Sequence, residues 1–281
     1  MPMLLVADSG STKTDWRLIQ PDGKSLSFET IGFNPYFIDS ASVLNELSGS
    51  SLREVKDEVT QVFFYGAGCS SEDKCKVIFN PLSTFFSHAR VEVEHDMLAA
   101  ARATCGNDKG MVAILGTGSN SCLYNGFAIV ENVAALGYVL GDNGSGADIG
   151  KSFIKAYLAG DLPITIRDDF NKQYNLGLTD ILDAVYKQPL PNRFLAGFSL
   201  FVSQHINDPF MKELVQSRFE LFFEKNICKY SNFQSHALHL VGSIAANYED
   251  LIQEVATKRN VQLGQVIRKP IEHLVQFHLD N

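Results

Sequence analysis

The sequence predicts an α/β protein of two lobes, each built on a mixed β-sheet with helices on its faces. Three observations carry this expectation. The first segments read as a three-strand meander, and strands then alternate with helical patterns. At Met111 the same order restarts. The chain has 281 residues, 45% hydrophobic and 20% charged, enough for two medium domains.

The meander begins with apolar Met3 to Ala7, leads into the polar stretch Asp8 to Asp15 (DSGSTKTD), and continues through Trp16 to Ile19. Pro21-Asp22-Gly23 then makes a turn into Leu26 to Ile31. Val43, Leu44, Leu47 and Leu52 stand near helical spacing, which predicts a helix from about Ser40 to Lys56. Val62 to Tyr65 reads as a buried strand ending at Gly66-Ala67-Gly68, followed by a helix over 72–87. Val91 to Glu94 is a short alternating strand, and the alanine-rich Asp96 to Thr104 a helix.

The second half opens on the strand Val112 to Leu115, a turn at Gly116-Thr117-Gly118-Ser119, and a strand Ser121 to Tyr124. A glycine-rich loop covers Leu136 to Gly150, helices occupy 151–228, and Leu238 to Val241 is a strand leading through Gly242-Ser243 into a helix near Ile244. Pro270 to Asp280 is helical, with proline at the first turn. The expected division is 1–108 and 109–269, with the terminal helix 270–281 packing back on the first lobe.

A net charge of -8 argues against nucleic acid or an anionic membrane as the main partner, since both require a basic face. No apolar run approaches the roughly 20 residues of a membrane span. The opening MPMLLVADSG lacks a basic leader and a cleavage site, so a cytoplasmic protein is expected. The five cysteines are widely spaced without a C-x-x-C pair and read as reduced, packed thiols.

Several stretches carry chemistry. In DSGSTKTD, small residues let backbone N–H groups converge on an anion, Ser11 and Thr12 add donors, Lys13 adds positive charge, and Asp8 is suited to hold Mg²⁺ through water. A solvated hairpin explains the same residues equally well, and the Walker pattern is missing. Gly116 to Ser119 is a second such turn. Asp96, between a strand and a helix, is either an N-cap or a carboxylate that takes a hydroxyl proton during phosphoryl transfer. Glu94 and His95 alternate along a strand, which argues against a metal triad. In LGYVLGDNGSG the glycines allow close backbone approach to a ligand, and Asp142 is able to accept hydrogen bonds from sugar hydroxyls. Gly242-Ser243 opens a strand–turn–helix shape suited to seat an adenosine, and equally common as plain packing.

Taken in order, DSGSTKTD, EHDMLAAARA, ILGTGSNS, LGYVLGDNGSGADIG and LVGSIAANY resemble the actin-like, sugar-kinase and Hsp70-type ATPase superfamily, in the branch of N-acetylglucosamine kinases and benzoyl-CoA reductase-related ATPases. The resemblance covers nearly the whole chain. It implies two ribonuclease-H-like lobes hinged around an ATP·Mg²⁺ cleft. It assigns Asp8, Gly10, Ser11, Thr12 and Lys13 to the first phosphate motif, with Asp8 on the metal side, and Gly116, Thr117, Gly118 and Ser119 to the second. Gly242 and Ser243 match the adenosine motif, Asp96 the catalytic base, and Asn34, Gly137 and Asp142 the sugar site.

Leu136 stands where those kinases usually carry a tryptophan, with Tyr138 following. The zinc-binding histidine–cysteine cluster of the repressor-like kinases is absent, as are the iron–sulfur cysteines of the dehydratase activators. The resulting expectation is an ATP-dependent kinase acting on the 6-hydroxyl of N-acetylglucosamine or a related amino sugar. The alternatives are an ATP-hydrolysing switch that moves a partner enzyme and a sugar sensor without ATP. The oligomeric state is left open, a homodimer included.

Overall fold

Leu4–Ser9 forms β1, and its side chains are buried on both faces except for Asp8, which is half-buried; a central strand requires that apolar character. The computed structural model describes residues 3–281. β1 pairs antiparallel with β2 (Lys13–Ile19), which pairs antiparallel with β3 (Ser25–Ile31). On its other side β1 runs parallel to β4 (Gln61–Gly66), and β4 parallel to β5 (Arg90–His95). The sheet order is β3-β2-β1-β4-β5. Register aligns Asp8 with Asp15 on one side and with Tyr65 on the other, and Tyr65 in turn with Glu94. Ser9, Gly66 and His95 form the next row, so β1, β4 and β5 end level and their C-terminal ends share one edge of the sheet.

One face of this sheet carries the core of Leu5, Ala7, Trp16, Leu18, Val62 and Phe64. Trp16, Phe33 and Phe64 meet at ring-centroid separations of 5.9–6.2 Å, and the Trp16 indole N–H is satisfied by Thr30 Oγ1 at 3.0 Å. Helix α1 is Ser40–Gly49, shorter than the spacing predicts. Ser50 adopts an extended backbone, its hydroxyl donates to Leu47 O, and it caps a separate 3₁₀ turn, Ser51–Glu54, that buries Leu52. The apolar rhythm crosses this break because Leu52 is buried by the second turn. α2 is Glu72–Phe85, capped by Ser71 and spanning Pro81. α3 is Asp96–Cys105, and Gly106 with φ 58° ends it. This unit, reaching to Asn107, also takes in Lys269–Asn281. Its C-terminal helix Ile271–Asp280 contacts α3 and β2, anchored by Arg17–Glu272 at 2.7 Å and by a hydrogen bond of 2.8 Å between His278 and the Tyr65 hydroxyl.

The second unit, Asp108–Arg268, repeats the plan. β6 (Lys109–Leu115), β7 (Ser119–Asn125) and β8 (Ile129–Val133) are antiparallel, and the sheet order is β10-β9-β6-β7-β8, with β9 (Leu238–Val241) and β10 (Leu263–Ile267) parallel to β6. β8 and β10 are additions to the sequence reading. Both are short edge strands, only partly buried and interrupted in register, so neither carries a clean apolar alternation. Between β8 and β9 come α4 (Gly137–Leu140), α5 (Gly146–Ala159), α6 (Ile164–Tyr174), α7 (Leu178–Tyr186), α8 (Pro191–Gln204) and α9 (Pro209–Lys225), and α10 (Ser243–Asn247) and α11 (Glu249–Lys258) lie between β9 and β10. α5 and α8 cross so closely that a Cβ on Gly150 would lie 1.9 Å from Leu195 O. No described helix is long and apolar enough to cross a membrane.

Candidate active site

The level edge of β1, β4 and β5 carries two carboxylates of interest. Asp96 is the first residue of α3, but it does not cap the helix: His95 does, its Nδ1 accepting from Leu98 N at 3.1 Å. The local role that competes with chemistry at Asp96 is therefore filled by its neighbour. Burial pushes the Asp96 carboxyl up to about 6, against the opposing pull of the Met97 and Asp96 amides. Asp8 is pushed further, to about 7, by burial and then by the charges of Asp96 and Asp15, with Lys269 opposing. Asp15 itself is partly buried, which would raise it, but hydrogen bonds from Lys269 and Lys13 hold it below its ordinary value. Lys269 reaches it at 2.9 Å and Lys13 at 3.0 Å.

Lys13 is both the first residue of β2 and the residue that closes the turn, and its ammonium is engaged by Glu29 and Asp15. A strand pairing that reaches Ser9 opposite Thr14 leaves Gly10 to Lys13 for the turn, with Ser11 and Thr12 at its tip. That turn is held by Gly10 N donating to Lys13 O at 3.0 Å and Gly32 N donating to Thr12 O at 2.9 Å. Beneath it, the buried Ser9 hydroxyl pairs with the Thr14 hydroxyl at 2.7 Å and accepts from Phe33 N at 2.9 Å.

Gly32, which sequence reasoning missed, is pressed against this turn. A Cβ there would sit 2.3 Å from Gly10 O and 2.6 Å from Thr12 N. Backbone, not a flexible side chain, would have to yield. Gly32→Ala is expected to displace the turn and weaken binding of AMPPNP by about tenfold, measured by titration calorimetry. Unchanged affinity would show that the turn does not seat the nucleotide. The glycine of GFNPYF carried no sequence signal of its own, because the close approach joins segments far apart along the chain.

Asn34 lies near the same turn, its Nδ2 donating to Ser11 Oγ at 2.8 Å. Two residues further on, Tyr36 is exposed, with Lys74 Nζ 4.0 Å from its ring centroid and its hydroxyl 3.1 Å from Ser70 Oγ.

In the second unit the turn Gly116-Thr117-Gly118 is closed by Gly116 N donating to Gly118 O at 3.0 Å. Gly146 N and Ala147 N donate to Gly116 O and Thr117 O at 2.8 and 3.0 Å, docking the start of α5 on the turn. Ser119 supports the turn from within: its hydroxyl donates to Asn143 O at 2.9 Å and its N–H to Asp142 Oδ1 at 3.2 Å. The Asp142 carboxylate, raised by burial, lies so close to Gly118 that a Cβ there would be 3.0 Å from Oδ2. Asp142 is thus brought to the Gly116–Gly118 turn, while Gly137, at φ 71°, is exposed at the start of α4. Gly242, at φ 125°, is held against the end of β6, where a Cβ would lie 2.2 Å from Leu115 O. The proposed adenosine and phosphate motifs of this unit are therefore adjacent, with Ser243 exposed at the first position of α10.

No family model matches the chain, and no curated protein does. Solved structures do. A Porphyromonas gingivalis protein named as a candidate N-acetylglucosamine kinase is 43% identical, with a TM-score of 0.94 and 99% of each chain covered. A Chromobacterium violaceum protein named in the same way is similar in fold, at 17% identity, TM-score 0.72 and 99% coverage of each chain. So is a ROK family glucokinase of Streptomyces griseus solved with glucose and AMPPNP, at 13% identity and TM-score 0.56, over 98% of this chain and 97% of that one. The two units have the topology of the actin-like superfamily, and kinship to the Porphyromonas protein over the whole chain makes this an ATP-dependent carbohydrate kinase. Within that class the chain belongs to the family of the Porphyromonas protein, the candidate N-acetylglucosamine kinase.

Proposed function

We propose that this carbohydrate kinase transfers the γ-phosphoryl group of ATP to the 6-hydroxyl of N-acetylglucosamine or a related amino sugar, with Asp96 as general base. The observation that carries the reading is Asp96: a partly buried carboxylate, relieved of capping by His95, at the edge that also carries the Gly10–Thr12 turn. Its carboxyl, raised to about 6, is mostly ionised at neutral pH yet basic enough to accept a hydroxyl proton as the oxygen attacks. Phosphoryl transfer makes modest covalent demands, so positioning and charge compensation supply most of the catalysis.

Mg²⁺ fits the donor set. Asp8 and Asp96 are partly buried carboxylates that repel one another, an arrangement that a divalent cation relieves. No group of three His, Cys, Asp or Glu among the described residues is arranged to hold a metal alone. The cation would therefore rely on phosphate oxygens and water, with Asp8 beside it, and when bound it offsets phosphate charge. Gly116 to Gly118 would receive phosphate, Gly242 and Ser243 the adenosine, and Asn34, Gly137 and Asp142 the sugar; the seating of Gly242 on β6 beside the turn supports the first two. Lys13 closes the turn of the first phosphate motif, with its ammonium shared between Asp15 and Glu29.

Purified protein given ATP, Mg²⁺ and a panel of hexosamines should release ADP only with an accepted sugar. Slow hydrolysis indifferent to sugar, with no phosphosugar by mass spectrometry, would instead favour a nucleotide-driven switch.

A further inference from the structure

The carboxamide of Asn34 is oriented from both of its ends. Oδ1 accepts from Tyr36 N at 3.0 Å, which fixes the oxygen and turns the amide nitrogen toward Ser11 Oγ at 2.8 Å. Behind it stands Gly68 at φ 84°, so close that a Cβ there would lie 2.4 Å from Oδ1. A carboxamide has two N–H donors and two acceptor lone pairs. One donor and one acceptor are used within the protein, which leaves one of each for a further partner. Asn34 is buried to 8% exposure, so its side chain does not swing freely in solvent. The residue at the centre of the phosphate turn, Ser11, is thus bonded to a group that retains the pair of functions a sugar hydroxyl needs.

We propose that Asn34 is a positioning residue for the phosphate turn as well as a sugar contact, so that the acceptor sugar and the nucleotide bind with mutual dependence through the Asn34–Ser11 hydrogen bond. A hydroxyl bound to the free side of the carboxamide holds the amide nitrogen on Ser11 and steadies the turn. A nucleotide phosphate seated on the turn holds Ser11 and, through it, the carboxamide. Coupling of this kind is reciprocal in binding free energy. The inference rests on the kinase reading above, and its test separates the two.

Titration calorimetry is run with AMPPNP plus Mg²⁺ alone and with N-acetylglucosamine alone, on the wild type, Ser11→Ala, Ser11→Thr, Asn34→Ala and the double alanine variant. Each residue is expected to affect the other's ligand. Asn34→Ala weakens AMPPNP about fivefold in the absence of sugar, and Ser11→Ala weakens N-acetylglucosamine about fivefold in the absence of nucleotide, the effect of one lost hydrogen bond. Ser11→Thr, which keeps the hydroxyl, retains sugar affinity. The double variant is no weaker than the weaker single variant for either ligand, because both substitutions break the same link. Substitutions that each move only their own ligand, or that add independently, overturn the proposal. A wild type that binds no hexosamine overturns the kinase reading, and the AMPPNP titration of Asn34→Ala still decides the link. Ser11 is exposed on its turn, so its variants keep the test open if Asn34→Ala does not fold.

Discussion

Asp96→Asn is expected to lower the rate of phosphoryl transfer by about 10²–10⁴-fold, the usual contribution of a positioned general base, while AMPPNP affinity changes little. Two facts about this residue give the expectation. Its carboxylate is not needed to begin α3, since His95 accepts the Leu98 N–H, so the asparagine variant keeps its helix start. And the substitution is nearly isosteric, so what it removes is the ability to take a proton. In the wild type the acid limb of kcat/KM should fall near pH 6, where the carboxyl protonates and ceases to act as a base. A variant with near-normal turnover removes Asp96 from the mechanism, and steady-state kinetics beside titration calorimetry distinguishes the two outcomes.

Asp8→Asn is expected to make the ligand-free protein more stable at pH 8 and less able to bind Mg²⁺·ATP. The ordinary value of 3.8 is raised to about 7 in the folded protein. Between those values the folded state holds a proton that the unfolded state has released, so stability falls as pH rises through the interval. Above pH 7 the carboxylate is ionised in a partly buried site beside Asp96 and Asp15, and its full cost is present. Replacing it with a neutral amide removes that cost, which is about 2 kcal/mol once shared among the interacting carboxylates, and raises the melting temperature by roughly 5 °C. At pH 4 the two proteins should melt together. Thermal denaturation at both pH values checks the sign. Equal melting temperatures at pH 8, or a variant with intact Mg²⁺·ATP affinity, would deny Asp8 its place beside the cation. Stability given up at a functional carboxylate is the expected pattern for a site that only its ligand completes.

Most of the fold was legible because the central strands are buried on both faces and read as continuous apolar runs, as Leu4 to Ala7 and Val62 to Tyr65 do. The edge strands β8 and β10 were not, since a half-exposed strand of five residues needs no strict pattern. The early end of α1 was hidden by Leu52, which keeps helical spacing while belonging to the next turn. At the site, polar residues flanking strand ends were visible in sequence, but their division of labour was not. Asp96 and His95 compete for one cap, and only geometry awards it to the imidazole. The engagement of Lys13 by Asp15 and Glu29 was hidden because it depends on the register of β2 and β3. Gly32, and the tight packing of Gly68 beyond its place at a strand end, were silent because each is required by a close contact with a distant segment, the Gly10–Thr12 turn in one case and Asn34 in the other.

A kinase of the proposed kind passes phosphate to a sugar hydroxyl, and specifically to the one on carbon 6. Phosphorus NMR of the product formed from ATP, Mg²⁺ and N-acetylglucosamine reads both points at once. Transfer to carbon 6 gives a phosphomonoester signal split into a triplet by the two protons of that carbon, and this is the expected spectrum. A doublet from attachment at a ring carbon would contradict the acceptor position, and inorganic phosphate as the sole new signal would contradict transfer altogether.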